Sequence, residues 1–254
     1  LTAISSGAGA GAAIDGRLVY VGIDDTDTLE TPGTNQLARR LAEVLPAGFE
    51  LVAALRHQLF FDPRVPYTSK NGCASLLLRR GTGQSTDDLR RLFRDEMRAW
   101  YVPGSDPGLC IAEDVPEAVT AFGRRAQCEL VRQAEARELA QRWGVFLEGF
   151  GGTEDGVIGA LAGVGLAAAG DDGRVVNRMG WGWPDAFAGV QPIVSLWERG
   201  VDEVREASSG QPVRVGRVDV GKHLRPSYRG KRVVLFVEAV EKPGEAMWRA
   251  LKLP

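Results

Sequence analysis

Apolar positions along the chain follow two periods, and the two divide it into strands and helices. Residues 18–23, LVYVGI, form an unbroken apolar run that stops at carboxylates, the pattern of a buried strand. Over residues 35–45, Leu37, Ala38, Leu41, Ala42 and Leu45 share one helical face, and Pro46, Ala47 and Gly48 end the pattern. Strands are predicted over 49–55 and 73–78. The loop at 60–72 between them is broken by Pro63, Pro66, Asn71 and Gly72. A helix is predicted over 85–99, capped by Ser85 or Thr86, with Leu89, Leu92, Phe93 and Met97 on one side. Residues 115–142 read as helical in two pieces, interrupted at Gly123. A glycine-rich stretch at 149–156 leads into a helix over 157–169. Beyond Gly170 the pattern turns β-like, with strands over 213–220 and 233–240 and a helix or turn over 202–207. The whole predicts a mixed-sheet α/β (α+β) fold.

Composition narrows the class. The chain has 254 residues, room for one large domain or two ordinary ones, with 44% hydrophobic and 25% charged residues as in globular proteins. Formal net charge is −2, which argues against wholesale nucleic-acid binding and leaves room for a local basic groove. Cys73, Cys110 and Cys128 form no CxxC pair, so a disulfide framework or zinc ribbon is not expected and a reducing cytoplasm is the simplest setting. No apolar run is long enough for a membrane span. Residues 1–16, rich in Gly, Ala and Ser, lack the features of a secretory signal and read as a flexible leader.

Three stretches offer chemistry. The first follows the opening strand: Asp24, Asp25 and Asp27 stand within four positions, with Thr26 between them, and Thr34 and Asn35 open the next helix. Clustered carboxylates repel one another unless a cation offsets them, and hard oxygens at a strand end suit Mg²⁺ bridged to phosphates. A solvated acidic turn, with Asp25 or Asp27 capping a helix, fits the same residues. The second stretch, 64–72, carries Arg64, Thr68, Ser69, Lys70, Asn71 and Gly72, donors suited to phosphate oxygens or to a plain polar connection. The third, 149–156, brings Glu154 and Asp155 to a helix start. They either complement the dipole or hold a cationic group. Close backbone packing is the plain explanation of Gly156, Gly159 and the small residues after them. His57 and His223 share no ligand spacing and read as structural or solvated. Trp181, Trp183 and Trp197 suit core burial or stacking on a planar ligand. Arg214, Arg217, Lys222, His223, Arg225 and Arg229 form either a phosphate-facing patch or a solvated basic edge.

Taken in order, these motifs resemble a known family. Residues 21–27, VGIDDTD, are similar to the amino-terminal signature of the archaeal tRNA-isoleucine agmatinylcytidine synthetases. Residues 33–35, GTN, stand where that family has a Thr-Thr pair, with Asn35 in place of the second threonine. Residues 66–72, PYTSKNG, resemble its Pro-Tyr loop, one residue shorter, and residues 156–165, GVIGALAGVG, its Gly-Leu-Ile-Gly-Ala-Leu-Ala segment. The resemblance covers about residues 18–178.

The resemblance implies a kinase-like ATP- and Mg²⁺-binding module over 17–112 and a ferredoxin-like module over 113–254, with interleaving allowed. It implies metal and phosphate handling by Asp24, Asp25 and Asp27, and a catalytic place for Thr34, matching a threonine pair of which one is phosphorylated in the family. It implies nucleotide contacts at Thr26, Lys70, Asn71 and Gly72, and a second-substrate region at Asp155, Gly156 and Gly159. The implied reaction activates a carbonyl oxygen by phosphorylation, followed by amine attack. The family's tRNA-gripping barrel and zinc ribbon have no counterpart here, so the expected acceptor is a small planar or nucleobase-like molecule, with weak, unselective tRNA binding. Modification of a tRNA cytidine with a separate RNA-binding subunit, and a non-catalytic nucleotide-binding module, are the alternatives.

Overall fold

The computed structural model describes residues 14–26, 28, 30–31, 33–65, 71–178, 181, 187–241 and 244–252. Strands β1 (Ile14–Asp24), β2 (Phe49–Arg56), β3 (Ala74–Gly81), β4 (Gly108–Ala112), β5 (Phe146–Gly149) and β6 (Arg174–Asn177) supply the first half of one sheet. Strands β7 (Val190–Pro192), β8 (Glu203–Glu206), β9 (Arg217–Asp219), β10 (Ser227–Arg229), β11 (Arg232–Ala239) and β12 (Trp248–Ala250) supply the second. The order is β5-β4-β1-β3-β2-β6-β10-β11-β12-β9-β7, with β8 beside β11. Pairing is antiparallel except at β8–β11 and β9–β12, so the sheet is mixed, as the sequence pattern predicts.

The helices are α1 (Thr34–Glu43), α2 (Thr86–Trp100), α3 (Glu117–Ala126), α4 (Gln133–Trp143), α5 (Gly156–Ala169) and α6 (Ile193–Glu198). The amphipathic α1 and α2 bury Leu37, Leu41, Leu89, Phe93 and Met97 on one face of the sheet. Ser85 caps α2, its Oγ accepting from the amide of Asp87 at 3.1 Å. Helix α5 is apolar or glycine at all 14 positions, and eleven of them are buried. A helix apolar all round needs partners on every side. It lies on the other sheet face against β1 and β4, with α3 and α4 packed over it.

Units β1-α1-β2-β3-α2-β4 follow the split βαβ, ferredoxin-like order β4-β1-β3-β2. That order falls upstream of the segment to which the resemblance assigns a ferredoxin-like module. Nor does the sheet break near residue 112: β5 continues it beyond β4, and α5 returns to pack on β1.

Several sequence expectations are corrected. Strand β1 begins at Ile14, inside the stretch read as leader. Gly123 lies within α3, and the break falls between Ala126 and Gln133. Residues 203–206 form strand β8 rather than a helix or turn, since Val204 alone points into the core between polar neighbours. Within the expected strand 213–220, the strand itself is Arg217–Asp219. No helix among the described residues is long and apolar enough to cross a membrane.

Candidate functional site

Strand β1 runs between β3 and β4, and its carboxyl end delivers Asp24 and Asp25. Asp24 still pairs with Gly108, whereas Asp25 turns into the left-handed region at φ +51°. The carbonyl of Asp25 accepts a hydrogen bond from the amide of Asp106 at 3.2 Å, which ties this turn to the approach of β4. Thr26 is buried, and its Oγ1 donates to Thr34 Oγ1 at 3.2 Å. That bond fixes the loop to the first turn of α1. Gly33 caps α1 without a side chain, and no acidic residue stands in its first turn, so the dipole there is not answered locally.

Helix α5 approaches from the other side. The amide of Gly156 donates to the carbonyl of Asp106 at 2.9 Å, and the amide of Phe150 to the carbonyl of Pro107 at 2.9 Å. Glycine is required where α5 crosses the strands. A Cβ on Gly159 would lie 1.8 Å from Asp24 Oδ2, and one on Gly156 would lie 2.3 Å from the Asp106 carbonyl. Gln133, in the first turn of α4, donates to the Thr153 carbonyl at 2.6 Å and joins a third helix start to the same place. On the remaining side, Asn71 donates through Nδ2 to the Phe60 carbonyl at 2.7 Å. Gly72 lies under the Arg56 guanidinium, whose Nη2 would be 3.0 Å from a Cβ there.

These pieces enclose a cavity of about 660 Å³. Of the residues singled out from sequence, Asp24, Asp25, Thr34, Asn71, Gly72, Asp155, Gly156 and Gly159 all line it. Thr26 stands behind the wall. Asp27 and Lys70 lie outside the described residues. Arg56, Arg132, Asp106 and Gln133 also line the cavity and were not singled out from sequence. Their signal was position alone: polar residues at a strand end, on the approach to a strand or at a helix start.

The amino ends of α1, α4 and α5 therefore open into one space, through Gly33 and Thr34, Arg132 and Gln133, and Asp155 and Gly156. The positive dipole ends of helices favour anions. Among the described residues no group of three or more His, Cys, Asp or Glu side chains gathers to hold a metal. Two lining carboxylates, Asp24 and Asp25, still offer the hard oxygens that Mg²⁺ takes alongside phosphate. Beneath the site Cys73 is buried, and burial first, then the charges of Asp24 and Asp172, push its thiol pKa up, which keeps it protonated and inert.

No protein-family model matches the chain. A curated protein, the tRNA 2-agmatinylcytidine synthetase TiaS of Cenarchaeum symbiosum (strain A), which acts on an isoleucine tRNA, is 26% identical over 212 residues, covering 76% of this chain and 45% of that protein. Among solved structures, a complex of TiaS with that kind of tRNA and ATP superposes with a TM-score of 0.54 at 19% identity, over 72% of this chain and 44% of that one. A complex of TiaS with the tRNA, AMPCPP and agmatine gives 0.50 at 22% identity, over 58% and 36%. The chain resembles the agmatinylcytidine synthetases in sequence and in fold. It spans about half the length of the curated TiaS it matches. At these identities the solved TiaS structures speak to the fold, and the mixed α/β architecture expected from sequence is the one they share.

Proposed function

We propose that this cavity binds ATP with Mg²⁺ and transfers a phosphoryl group to a carbonyl oxygen of a nucleobase, which an amine then displaces. The observation that carries the reading is the convergence of three helix amino ends on a cavity that also holds Asp24 and Asp25. The amino end of α1 at Thr34 and the cations Arg56 and Arg132 suit phosphate oxygens. Asp24 and Asp25 would hold the metal, which when bound neutralises phosphate charge. Thr34, fixed by Thr26, orients the phosphates at the start of α1. Asn71 and Gly72 close the nucleotide side, and Asp27 and Lys70 extend the same set by their place in the sequence motifs. Asp106, Glu129 and Asp155 also line the cavity, and their negative charge suits a cationic amine. The catalytic unit runs from β1 through α5, so the kinase-like and ferredoxin-like modules interleave.

In the first step the acceptor oxygen bonds to the terminal phosphorus as the bridging oxygen leaves with the nucleoside diphosphate. In the second the amine nitrogen bonds to the activated carbon, sheds its protons, and phosphate departs with the former carbonyl oxygen. TiaS has been solved with tRNA, ATP and agmatine, which supports an RNA cytidine as acceptor over a free small molecule. The test incubates the protein with ATP, Mg²⁺ and agmatine, adding either the isoleucine tRNA or free cytidine, and follows nucleotide and acceptor by mass spectrometry. ATP consumption that needs both agmatine and tRNA, with agmatine gained by the RNA, is the expected result. Turnover with free cytidine alone would restore the small-molecule reading. Binding without turnover would make the chain a nucleotide-binding module.

A further inference from the structure

Beside the cavity, the ends of β2 and β6 and the approach to β10 carry a row of arginines that leads away from it. Arg56 ends β2 and lines the cavity. Arg174 begins β6 and is its direct cross-strand partner. Ser227 of β10 is in turn opposite Arg174, and Arg225 stands two residues before it. Like charges directly opposite one another destabilise a sheet. Here the pair is half-buried, which sharpens the cost. Among the described residues none of the three guanidinium groups is ion-paired within 4.0 Å of a carboxylate. The neighbouring Arg229 differs, since its Nη1 donates to the carbonyl of Tyr228 at 2.9 Å. Burial, then the charges of Arg56 and Arg225, hold the Arg174 guanidinium below its ordinary pKa. Three cations placed together, with no carboxylate paired to them among the described residues, make a place for an anion from outside.

We infer that Arg56, Arg174 and Arg225 form a phosphate subsite for a single-stranded RNA backbone whose target base enters the cavity. The direction of the row carries this choice. Arg56 lines the cavity, whereas Arg174 and Arg225 do not, so the charge leads away from the nucleotide space along the strand ends. A bound ATP lies within the cavity and leaves the outer two arginines unmatched. A polynucleotide crossing the sheet edge meets all three. The inference rests on an RNA acceptor, as proposed above.

The test is fluorescence anisotropy of a labelled single-stranded oligoribonucleotide with the full chain, over a series of salt concentrations. Each phosphate of a single strand that the protein ceases to neutralise reduces the log–log salt slope by about 0.7. Arg174→Gln and Arg225→Gln are each expected to weaken binding several-fold at low salt and to flatten the slope by that amount. Arg174→Lys keeps the charge and is expected to keep the slope, which separates removal of the charge from damage to the fold. A slope unchanged in both glutamine variants overturns the subsite. So does a loss of ATP affinity, measured by calorimetry with Mg²⁺, in variants whose RNA binding is intact. If the wild-type chain consumes no ATP while the slopes change as expected, the phosphoryl-transfer reading fails and the RNA subsite stands.

Discussion

Asp25 holds a backbone conformation that most side chains resist, at φ +51°, and aspartate and asparagine are among the few that tolerate it. The turn is tied through its backbone carbonyl, which accepts from the Asp106 amide. Asp25→Asn keeps the turn and removes the charge. Turnover of ATP is expected to fall on the order of 100-fold or more, the scale of losing one electrostatic group at a reacting centre. Stability is expected to stay within about 0.5 kcal/mol. Steady-state kinetics beside a thermal melt checks both. A normal rate in a folded variant would leave Asp25 as a turn residue, and a collapsed melt would make the carboxylate structural. The place of Asp24 and Asp25 at the cavity was legible in the sequence, because carboxylates next to an apolar run stand out. Arg56 and Asp106 were not, because a single polar residue at a strand end looks the same whether it faces a cavity or solvent.

At the scale of elements, α5 decides how tightly the site closes. Gly22 of β1 faces it so closely that a Cβ would lie 1.9 Å from the Ala160 carbonyl, a backbone atom that cannot swing aside. Gly22→Ala must therefore push helix and strand apart. Overpacking of this kind costs about 1–3 kcal/mol and more where backbone must move. Gly244→Ala, with nothing within 4 Å, is the control and is expected to be neutral. Denaturant unfolding of the two variants makes the comparison, and equal midpoints would contradict the packing account. The small-residue pattern at 156–169 made this helix and its close approach legible. Its all-round burial hid which strands it meets. The split βαβ order was also hidden, because β1 pairs with β3 and β4 across intervening helices and strands, which periodicity does not register. In the second half the strands are short, and β8 with its sequence EVRE shows one apolar position, too little for a period of two.

At the scale of the whole molecule, the two halves of the sheet meet where β6 joins β2 to β10, and a buried polar cluster sits at that seam. His57 Nδ1 lies 2.7 Å from Asp172 Oδ2, and its Nε2 lies 2.8 Å from Ser75 Oγ. The trio has the make-up of a nucleophilic triad, but His57 and Ser75 are 0% exposed, so no substrate reaches them and the histidine is structural. Burial alone would raise the Asp172 carboxyl. The His57 hydrogen bond and charge, with help from Gln127 and Arg229, outweigh it and hold the pKa below the ordinary value. A carboxyl depressed in the folded state binds its proton more weakly there than in the unfolded chain, so acid favours unfolding. The contribution is fully present above the ordinary carboxylate value of 3.8 and is lost as the pH falls through the lower folded value. Asp172→Asn is expected to cost about 1.5–3 kcal/mol at neutral pH, the scale of a hydrogen bond to a charged group. As the pH falls through the lower folded value its stability curve should close on that of the wild type, because protonation then removes from the wild type the charge that the variant lacks. Melting temperatures of the two proteins from neutral to acid pH measure the gap. Curves that stay parallel into acid would mean that the charge of Asp172 does not hold the seam, and that packing around β6 joins the two halves of the sheet.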